Sequence, residues 1–210
     1  MAKVLCIIAS PRDESWSSRL ADGFLTTYRQ LHPQDSIEML DLFSADIPPF
    51  TAPQAAAKYA VLGGQEPRDR AQAAWVEVIR AIEHFKSFDK YVLASPMWNF
   101  SIPYRLKQYL DVIVQPGLTF KFVPEQGYVG LVTGRPLLLL LARGGTYGAG
   151  NPCETMDFQE SYLRAIAGFI GITDIHAVRV ENTLMETPEQ VEERLQAAIR
   201  EAGRLAEKFA

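Results

Sequence analysis

The chain has 210 residues, of which 48% are hydrophobic and 22% are charged, and its formal net charge is -4. This composition is typical of a soluble globular domain with a sizeable core. The acidic balance, without a cluster of Lys and Arg, argues against a nucleic-acid partner, and no apolar run is long enough to span a membrane. Met1 leads straight into a strand-like run without signal-peptide features, so we expect a cytoplasmic protein. Cys6 and Cys153 match no metal-binding or redox spacing.

Strands and helices are predicted to alternate along the whole chain. Apolar runs and alternating patterns predict strands at 4–9, 36–41, 91–94, 137–142 and 175–180. Apolar side chains at helical spacing predict helices at 20–31, 54–62, 68–85, 103–115, 158–170 and 188–209. The segment 118–131 resembles a surface excursion with two extended arms. Since crossovers between parallel strands are right-handed, the pattern predicts an α/β fold, a doubly wound parallel sheet with helices on both faces, for which 2-1-3-4-5 is a common strand order.

Three loops follow predicted strands at the edge where such sheets bind ligands, the carboxyl ends of the strands. The first, Ser10 to Ser18, is rich in serine, and hydroxyls beside the free N–H groups of a helix N-terminus bind phosphate well. On local sequence alone, a simple N-cap by one of these serines is the favoured alternative. The loop has neither the Gly-Lys-Ser/Thr of a Walker P-loop nor the glycines of a Rossmann fingerprint.

The other two loops carry features that suit a flat, partly polar ring. Ser95 to Pro103 contains a sulfur side chain, a large aromatic and an amide, at Met97, Trp98 and Asn99. Arg143 to Gly150 contains four glycines, which allow the backbone to pass close to a ligand. A flexible loop without a ligand is an equal alternative for this last segment. The predicted convergence of all three loops is what favours a binding site.

Four motifs together resemble the FMN-dependent NADH-azoreductase family, flavodoxin-fold reductases of quinones and azo compounds. They are Ser-Pro-Met-Trp-Asn-Phe at 95–100, Gly-Leu-Val-Thr-Gly at 130–134, Arg-Gly-Gly at 143–145 and Gly-Phe-Ile-Gly-Ile-Thr-Asp at 168–174. The resemblance covers nearly the whole chain. It implies one flavodoxin-like, flavin-binding domain over residues 1–210, with bound FMN and with NADH or NADPH as electron donor.

The resemblance also assigns roles to individual residues. The FMN phosphate would be held by Ser10, Ser15, Trp16 and Ser17. The isoalloxazine ring would be lined by Met97, Trp98, Asn99 and Phe100, with hydrogen bonds from backbone N–H groups and Asn99, and closed on its other side by Arg143, Gly144 and Gly145. The substrate would be lined by Trp98, Phe120 and Phe122. Family members often have Tyr in place of Trp98 and a hydroxyl residue in place of Ala142, so we expect these two positions to affect substrate preference.

The implied activity is a ping-pong reduction in which NADH gives a hydride to flavin N5 and a quinone or azo compound then takes its place. No side chain of the three loops is a convincing general acid, and we expect no metal. The family forms homodimers, so the 118–131 arm would wall the partner's flavin pocket; the alternative is that its aromatics pack on their own domain. Two other functions stay open: a flavodoxin-like electron carrier for protein partners, and a non-catalytic nucleotide or phosphate sensor.

Overall fold

The computed structural model describes residues 1–148 and 150–209; Ala149, in the predicted glycine-rich loop, and Ala210 lie outside the described residues. The strands are β1 (Lys3–Ile8), β2 (Ser36–Asp41), β3 (Lys90–Pro96), β4 (Phe120–Val123), β5 (Gly127–Gly130), β6 (Leu137–Ala142) and β7 (Ile175–Val180). The α-helices are α1 (Trp16–Leu31), α2 (Ala52–Leu62), α3 (Asp69–Lys86), α4 (Tyr104–Ile113), α5 (Glu160–Ile170) and α6 (Pro188–Ala206), and a short 3₁₀ turn covers Glu154–Met156. Each predicted strand and helix is therefore present.

The main sheet has five parallel strands in the order β2-β1-β3-β6-β7. Since β4 and β5 form a separate antiparallel pair, this order is the expected 2-1-3-4-5, and the prediction of a doubly wound sheet is confirmed. Hydrogen bonds between neighbouring strands hold the carboxyl ends of β1, β3 and β6 side by side. Ala9 N–H donates to Ala94 O at 2.9 Å, and Met97 N–H donates to Ala142 O at 2.8 Å. The three predicted loops therefore begin side by side.

Two helical layers cover the sheet and account for its apolar strands. One core contains side chains of α3, α4 and α5, such as Val78, Leu106 and Leu163, and the other contains side chains of α1 and α6, such as Phe24 and Leu195. All six residues of β6 are buried, and burying a leucine fully contributes about 1.5–3 kcal/mol. None of the described helices combines the length and apolar character that a membrane span requires.

Several element boundaries differ from the prediction, and a polar side chain explains that of α5. Helix α1 begins at Trp16, so Ser17 lies in its first turn, ahead of the apolar stripe from which the helix was predicted. Helix α5 begins two residues later than expected, at Glu160, because the Asp157 carboxylate accepts the N–H groups that open it. Pro103, predicted to open the helix, occupies the N-cap position of α4.

The excursion at 118–131 forms the β4–β5 hairpin, which lies at the amino edge of the sheet. Lys86, just before β3, donates to Leu118 O, and Val132 N–H donates to Ile170 O, just before β7. A Cβ on Gly130 would meet the backbone of Gly171 at 2.2 Å. The glycines at these positions of the 130–134 and 168–174 motifs therefore serve close packing, away from the carboxyl edge.

The hairpin corrects the expectation of a freely projecting aromatic arm. Phe120 is 8% exposed and packs on Phe169 of α5 with ring centroids 4.6 Å apart, whereas Phe122 is 65% exposed. Tyr128 also contacts Phe169, at 5.4 Å, although much of its surface is open. Because the hairpin lies at the amino edge, Phe120 and Phe122 do not line the carboxyl-edge crevice of their own chain. Their predicted role in lining a substrate requires the crevice of a partner subunit.

Candidate functional site

The first segment of the site is the N-terminus of α1. Ser15 is its N-cap and accepts a hydrogen bond from the N–H of Ser18 at 3.1 Å, so the simple N-cap interpretation is confirmed for Ser15. That cap leaves unused donors beside it: within the described residues, the N–H groups of Trp16 and Ser17 have no acceptor. Ser10, Ser15 and Ser17 are all buried. Hydroxyls and free N–H groups thus share one sheltered corner.

This corner has the electrostatic character of an anion site. A helix of 16 residues places a partial positive charge at its N-terminus, and N–H groups there point at the space that a phosphate would fill. The hydroxyls of Ser15 and Ser17 lie 3.3 Å apart, close enough to bind neighbouring oxygens of one anion. The Arg19 guanidinium lies over the Trp16 ring, with its central carbon 4.9 Å from the ring centroid. Because the Trp16 side chain packs against Arg19, Trp16 offers its backbone N–H to this corner.

The second segment is a tight turn at the exit of β3. Asn99 and Phe100 both have positive φ, 48° and 68°, and Trp98 and Ser101 exchange two backbone hydrogen bonds of 2.9 Å. These features define a two-residue turn of the I′ type. A positive φ at a bulky residue such as Phe100 is strained, and such strain persists where the surroundings over-determine the conformation, often at functional sites.

The turn determines which backbone donors are available. Met97 N–H is used by Ala142 O, and Trp98 N–H by Ser101 O. Among the described residues, the N–H groups of Asn99 and Phe100 have no acceptor. The prediction that this segment offers backbone N–H groups to a ring is therefore limited to Asn99 and Phe100. Met97 and Trp98 have only their side chains to offer, because their N–H groups are already used.

Trp98 belongs to an aromatic cluster that the sequence analysis missed. Its ring centroid lies 5.9 Å from that of Phe43 and 6.4 Å from that of Tyr104, and Phe43 meets Tyr104 edge-on at 5.7 Å. A groove lined by Trp98, Tyr104 and Phe50 runs beside it. Phe43 follows the carboxyl end of β2, so the rule that ligands bind beyond strand ends would have pointed to it.

The third segment differs from the prediction in the direction of its arginine. The Arg143 side chain is 1% exposed. Its guanidinium pairs with Asp157 at 2.9 Å, Glu160 at 3.1 Å and Glu181 at 3.4 Å. Its charge is therefore held by carboxylates, and only the backbone of Arg143, Gly144 and Gly145 is available to close over a ring.

One of the carboxylates around Arg143, that of Glu160, has a lowered pKa in the folded protein. Burial raises the pKa of Glu160, but hydrogen bonds from Arg179 and Arg164 outweigh it and hold that pKa below its usual value. Glu160 pairs with Arg143, Arg164 and Arg179. The cluster is a structural ion-pair network rather than a source of protons.

The Arg143–Gly145 segment is anchored, which disfavours the flexible-loop alternative for these residues. The carbonyls of Arg143, Gly144 and Gly145 accept N–H groups of the loop after β7, from Thr183, Leu184 and Asn182 at 3.0, 3.2 and 3.4 Å. A Cβ on Gly144 would meet the Leu184 side chain at 2.8 Å, so close approach explains that glycine. In the described residues, the N–H groups of Gly144 and Gly145 have no acceptor.

The three histidines lie away from this crevice. His32 follows the end of α1, His84 is near the end of α3, and His176 is near the start of β7, all at the amino edge. His84 contacts Glu38 and His32 contacts the Ala206 carbonyl. The crevice thus offers backbone donors, hydroxyls and aromatic surfaces, and none of the three histidines lies in it.

A parallel sheet of this order, with a hydroxyl-rich helix N-terminus after its first strand, defines a protein of the flavodoxin-like class. A family profile described as "Flavodoxin-like fold" matches residues 2–205. The chain is 52% identical over 212 aligned positions to an FMN-dependent NADH:quinone oxidoreductase of Nitratidesulfovibrio vulgaris (strain DP4), covering 100% of both chains. It is 44% identical to the protein of the same name from Desulfotalea psychrophila, covering 89% of this chain and 88% of that one.

Solved structures agree with these sequence relationships. The crystal structure of an FMN-dependent NADH-azoreductase from Bacillus anthracis str. Ames Ancestor in complex with FMN matches with a TM-score of 0.88 and 32% identity, covering 100% of both chains. The chain belongs to the family of flavodoxin-like FMN-dependent NADH:quinone oxidoreductases and azoreductases.

Proposed function

We propose that this protein is an FMN-dependent NADH oxidoreductase that reduces quinones and aromatic azo compounds. The observation that carries the proposal is a set of unused backbone donors in the three carboxyl-edge segments, namely those of Trp16, Ser17, Asn99, Phe100, Gly144 and Gly145. The names and the FMN complex of its relatives support the choice of cofactor, donor and acceptors.

The residues fit FMN better than FAD. The α1 corner offers hydroxyls and N–H groups from Ser10, Ser15, Trp16 and Ser17, which suit a terminal phosphate. A pyrophosphate is typically held by a glycine-rich turn after the first strand, and the segment from Ser10 to Ser18 contains no glycine. The donors of Asn99 and Phe100 on one side, and of Gly144 and Gly145 on the other, would hold the ring.

When bound, FMN would supply the redox chemistry at its N5 atom, and the chain supplies binding, orientation and electrostatics. The N–H groups of the two ring-facing segments are fixed before any ligand arrives, and preorganised donors in a site with little water stabilise developing negative charge. Since no histidine lies at this edge, we propose that solvent supplies the protons. NADH and the acceptor would use the same open face in turn, which is a ping-pong cycle.

We also propose that the protein is a homodimer whose hairpin reaches the partner's crevice. Phe122 and Tyr128 are both 65% exposed on the hairpin, and exposed aromatic surface of this kind favours an interaction site. A two-fold axis would bury the same patch on both chains. The two cysteines, Cys6 and Cys153, are both free thiols, which suits the proposed cytoplasmic location.

A visible spectrum of the purified protein, followed by anaerobic addition of NADH, tests the function. The expected result is an oxidised flavin spectrum that NADH bleaches and that a quinone or an azo dye restores. FAD released on denaturation, or a colourless protein that does not bind added FMN, contradicts the cofactor. Bound FMN that NADH does not bleach favours an electron carrier instead.

A further inference from the structure

We propose that Gln159 is a positioning residue that fixes the distance between the two segments that grip the flavin ring. The proposal rests on the proposed function and concerns the turn at 97–101 and the Arg143–Gly145 segment. Neither composition nor the motif resemblance points to Gln159, which precedes α5 and was predicted to lie inside a helix.

Gln159 joins β3, the strand that leads into the turn at 97–101, to the Arg143–Gly145 segment through a single buried amide. Its Nε2 donates to Ser95 O at 3.1 Å, one residue before the end of β3, and its Oε1 accepts from Arg143 Nε at 3.1 Å. The residue is 0% exposed. An amide is the neutral side chain that donates and accepts at once, and an apolar replacement would leave a buried carbonyl and a buried guanidinium N–H unpaired, which is costly.

The residues beside Gln159 also contact these segments, and we call residues 157–160 the brace. Phe158 N–H donates to Phe100 O at 3.0 Å and holds the strained turn. Asp157 and Glu160 both pair with the Arg143 guanidinium. Of these four consecutive residues, Phe158 contacts the turn, Asp157 and Glu160 contact Arg143, and Gln159 connects Arg143 to the strand that leads into the turn.

A second path connects the Arg143–Gly145 segment to the turn. Glu181 Oε1 accepts from Arg143 Nη1 at 3.4 Å and from Tyr147 N–H at 3.3 Å. The Tyr147 ring meets the Phe100 ring edge-on, with centroids 6.2 Å apart. These two paths add to the direct bond between Met97 N–H and Ala142 O at the ends of β3 and β6. The brace acts on flavin through Phe100 and the 143–145 backbone rather than by contact with it.

The test replaces Gln159 by Met, which is similar in size but forms neither hydrogen bond. The matched control is Gln115→Met, because Gln115 is equally buried and bonds to Asp111 O at the amino edge. We expect apo Gln159→Met to bind FMN about tenfold more weakly in a fluorescence titration, a loss typical of buried hydrogen bonds, and Gln115→Met to bind FMN like the wild type. We expect the flavin midpoint potential to fall in Gln159→Met alone, because displaced N–H donors stabilise the reduced flavin less.

A second variant, Gln159→Glu, covers the case in which Gln159→Met does not fold. It keeps an acceptor for Arg143 but loses the donor to Ser95 O, and we expect weaker FMN binding and a lowered potential here as well. Wild-type affinity and potential in both variants, or equal losses in Gln159→Met and Gln115→Met, would overturn the positioning role. A wild-type protein that does not bind FMN would instead overturn the proposed function.

Discussion

A substitution at Ser17 can test phosphate binding independently of helix capping. Its side chain is buried in the first turn of α1, next to the N-cap Ser15. A carboxylate there is favourable for the helix dipole but repels a phosphate. We expect Ser17→Asp to lower FMN affinity by about 100-fold or more, since like charges in a sheltered site cost several kcal/mol, while the apo protein unfolds at an unchanged or higher urea concentration.

FMN titration of the apo protein and urea unfolding measure the two effects. Ser36→Asp is the matched control, because it adds the same charge at an exposed position at the start of β2, on the opposite edge of the sheet. Full FMN occupancy in Ser17→Asp would place the phosphate elsewhere.

A substitution at Trp98 can test the choice of electron acceptor independently of flavin binding. Its backbone N–H and carbonyl are used by Ser101, so the turn does not depend on the indole, whereas the ring packs with Phe43 and Tyr104 beside the groove. We expect Trp98→Tyr to keep FMN affinity within about twofold, because the backbone donors are unchanged, and to shift the relative rates for quinones and azo dyes of different size. Loss of flavin with unchanged relative rates would contradict this assignment.

At the scale of elements, a buried polar cluster ties the beginning and the end of the chain to β3. Lys90, at the start of β3, donates to Tyr28 OH at 3.1 Å and to Phe209 O at 2.7 Å, and it faces Asp35 at 3.5 Å. The N–H of Ala2 donates to the Asp35 carboxylate and lowers its pKa. Burial raises the pKa, but the Tyr28 hydroxyl and Lys90 add to the effect of Ala2, and the pKa of Asp35 falls from 3.8 to about 2. The carboxylate of Asp35 therefore stabilises the folded state.

This pKa has a defined consequence for stability. Because the pKa is lower in the folded protein, the contribution of Asp35 is complete above the unfolded value of 3.8 and is lost as the pH falls through about 2. We expect Asp35→Asn to be less stable than the wild type near neutral pH, and the two to converge near pH 2. Urea unfolding at several pH values measures the difference, with Asp174→Asn, an exposed carboxylate on the amino edge, as control. A difference that does not change with pH would contradict the assigned cause.

At the scale of the whole molecule, the hairpin carries one aromatic residue that stabilises its own chain and another that is available for a dimer interface. Phe120 packs on Phe169 within its own chain, whereas Phe122 faces solvent. We expect Phe122→Ser to lower the dimer fraction and the turnover while the free energy of unfolding of the monomer stays close to wild type. In contrast, Phe120→Ser should lower that free energy by about 3–5 kcal/mol, as for other large-to-small core changes.

Sedimentation at micromolar concentration, steady-state turnover and urea unfolding of both variants test this division. A wild-type protein that is monomeric and fully active would exclude the composite site. Equal loss of stability in the two variants would show that both aromatics belong to the core of their own domain.

Much of the fold could be predicted from the sequence, because strand and helix periodicity is a local property. The apolar run at 137–142 predicted a strand, and β6 forms there as a fully buried strand with a neighbour on each side. Right-handed crossovers limit how such strands can be arranged, so the loops at the exits of β1, β3 and β6 could be assigned to one edge before any coordinates were known. The motif resemblance then pointed to the family.

Only the tertiary structure decided which groups of those loops are available. Arg143 lies in a glycine-rich loop, yet its guanidinium turns inward because Asp157, Glu160 and Glu181 arrive from other elements. Phe43 joins Trp98 across 55 positions of the sequence. Hydrogen bonding and burial are satisfied by whatever neighbours the fold supplies, and those neighbours are distant in sequence. The sequence by itself therefore determined the edge at which the site lies, and long-range packing decided the direction of each side chain within it.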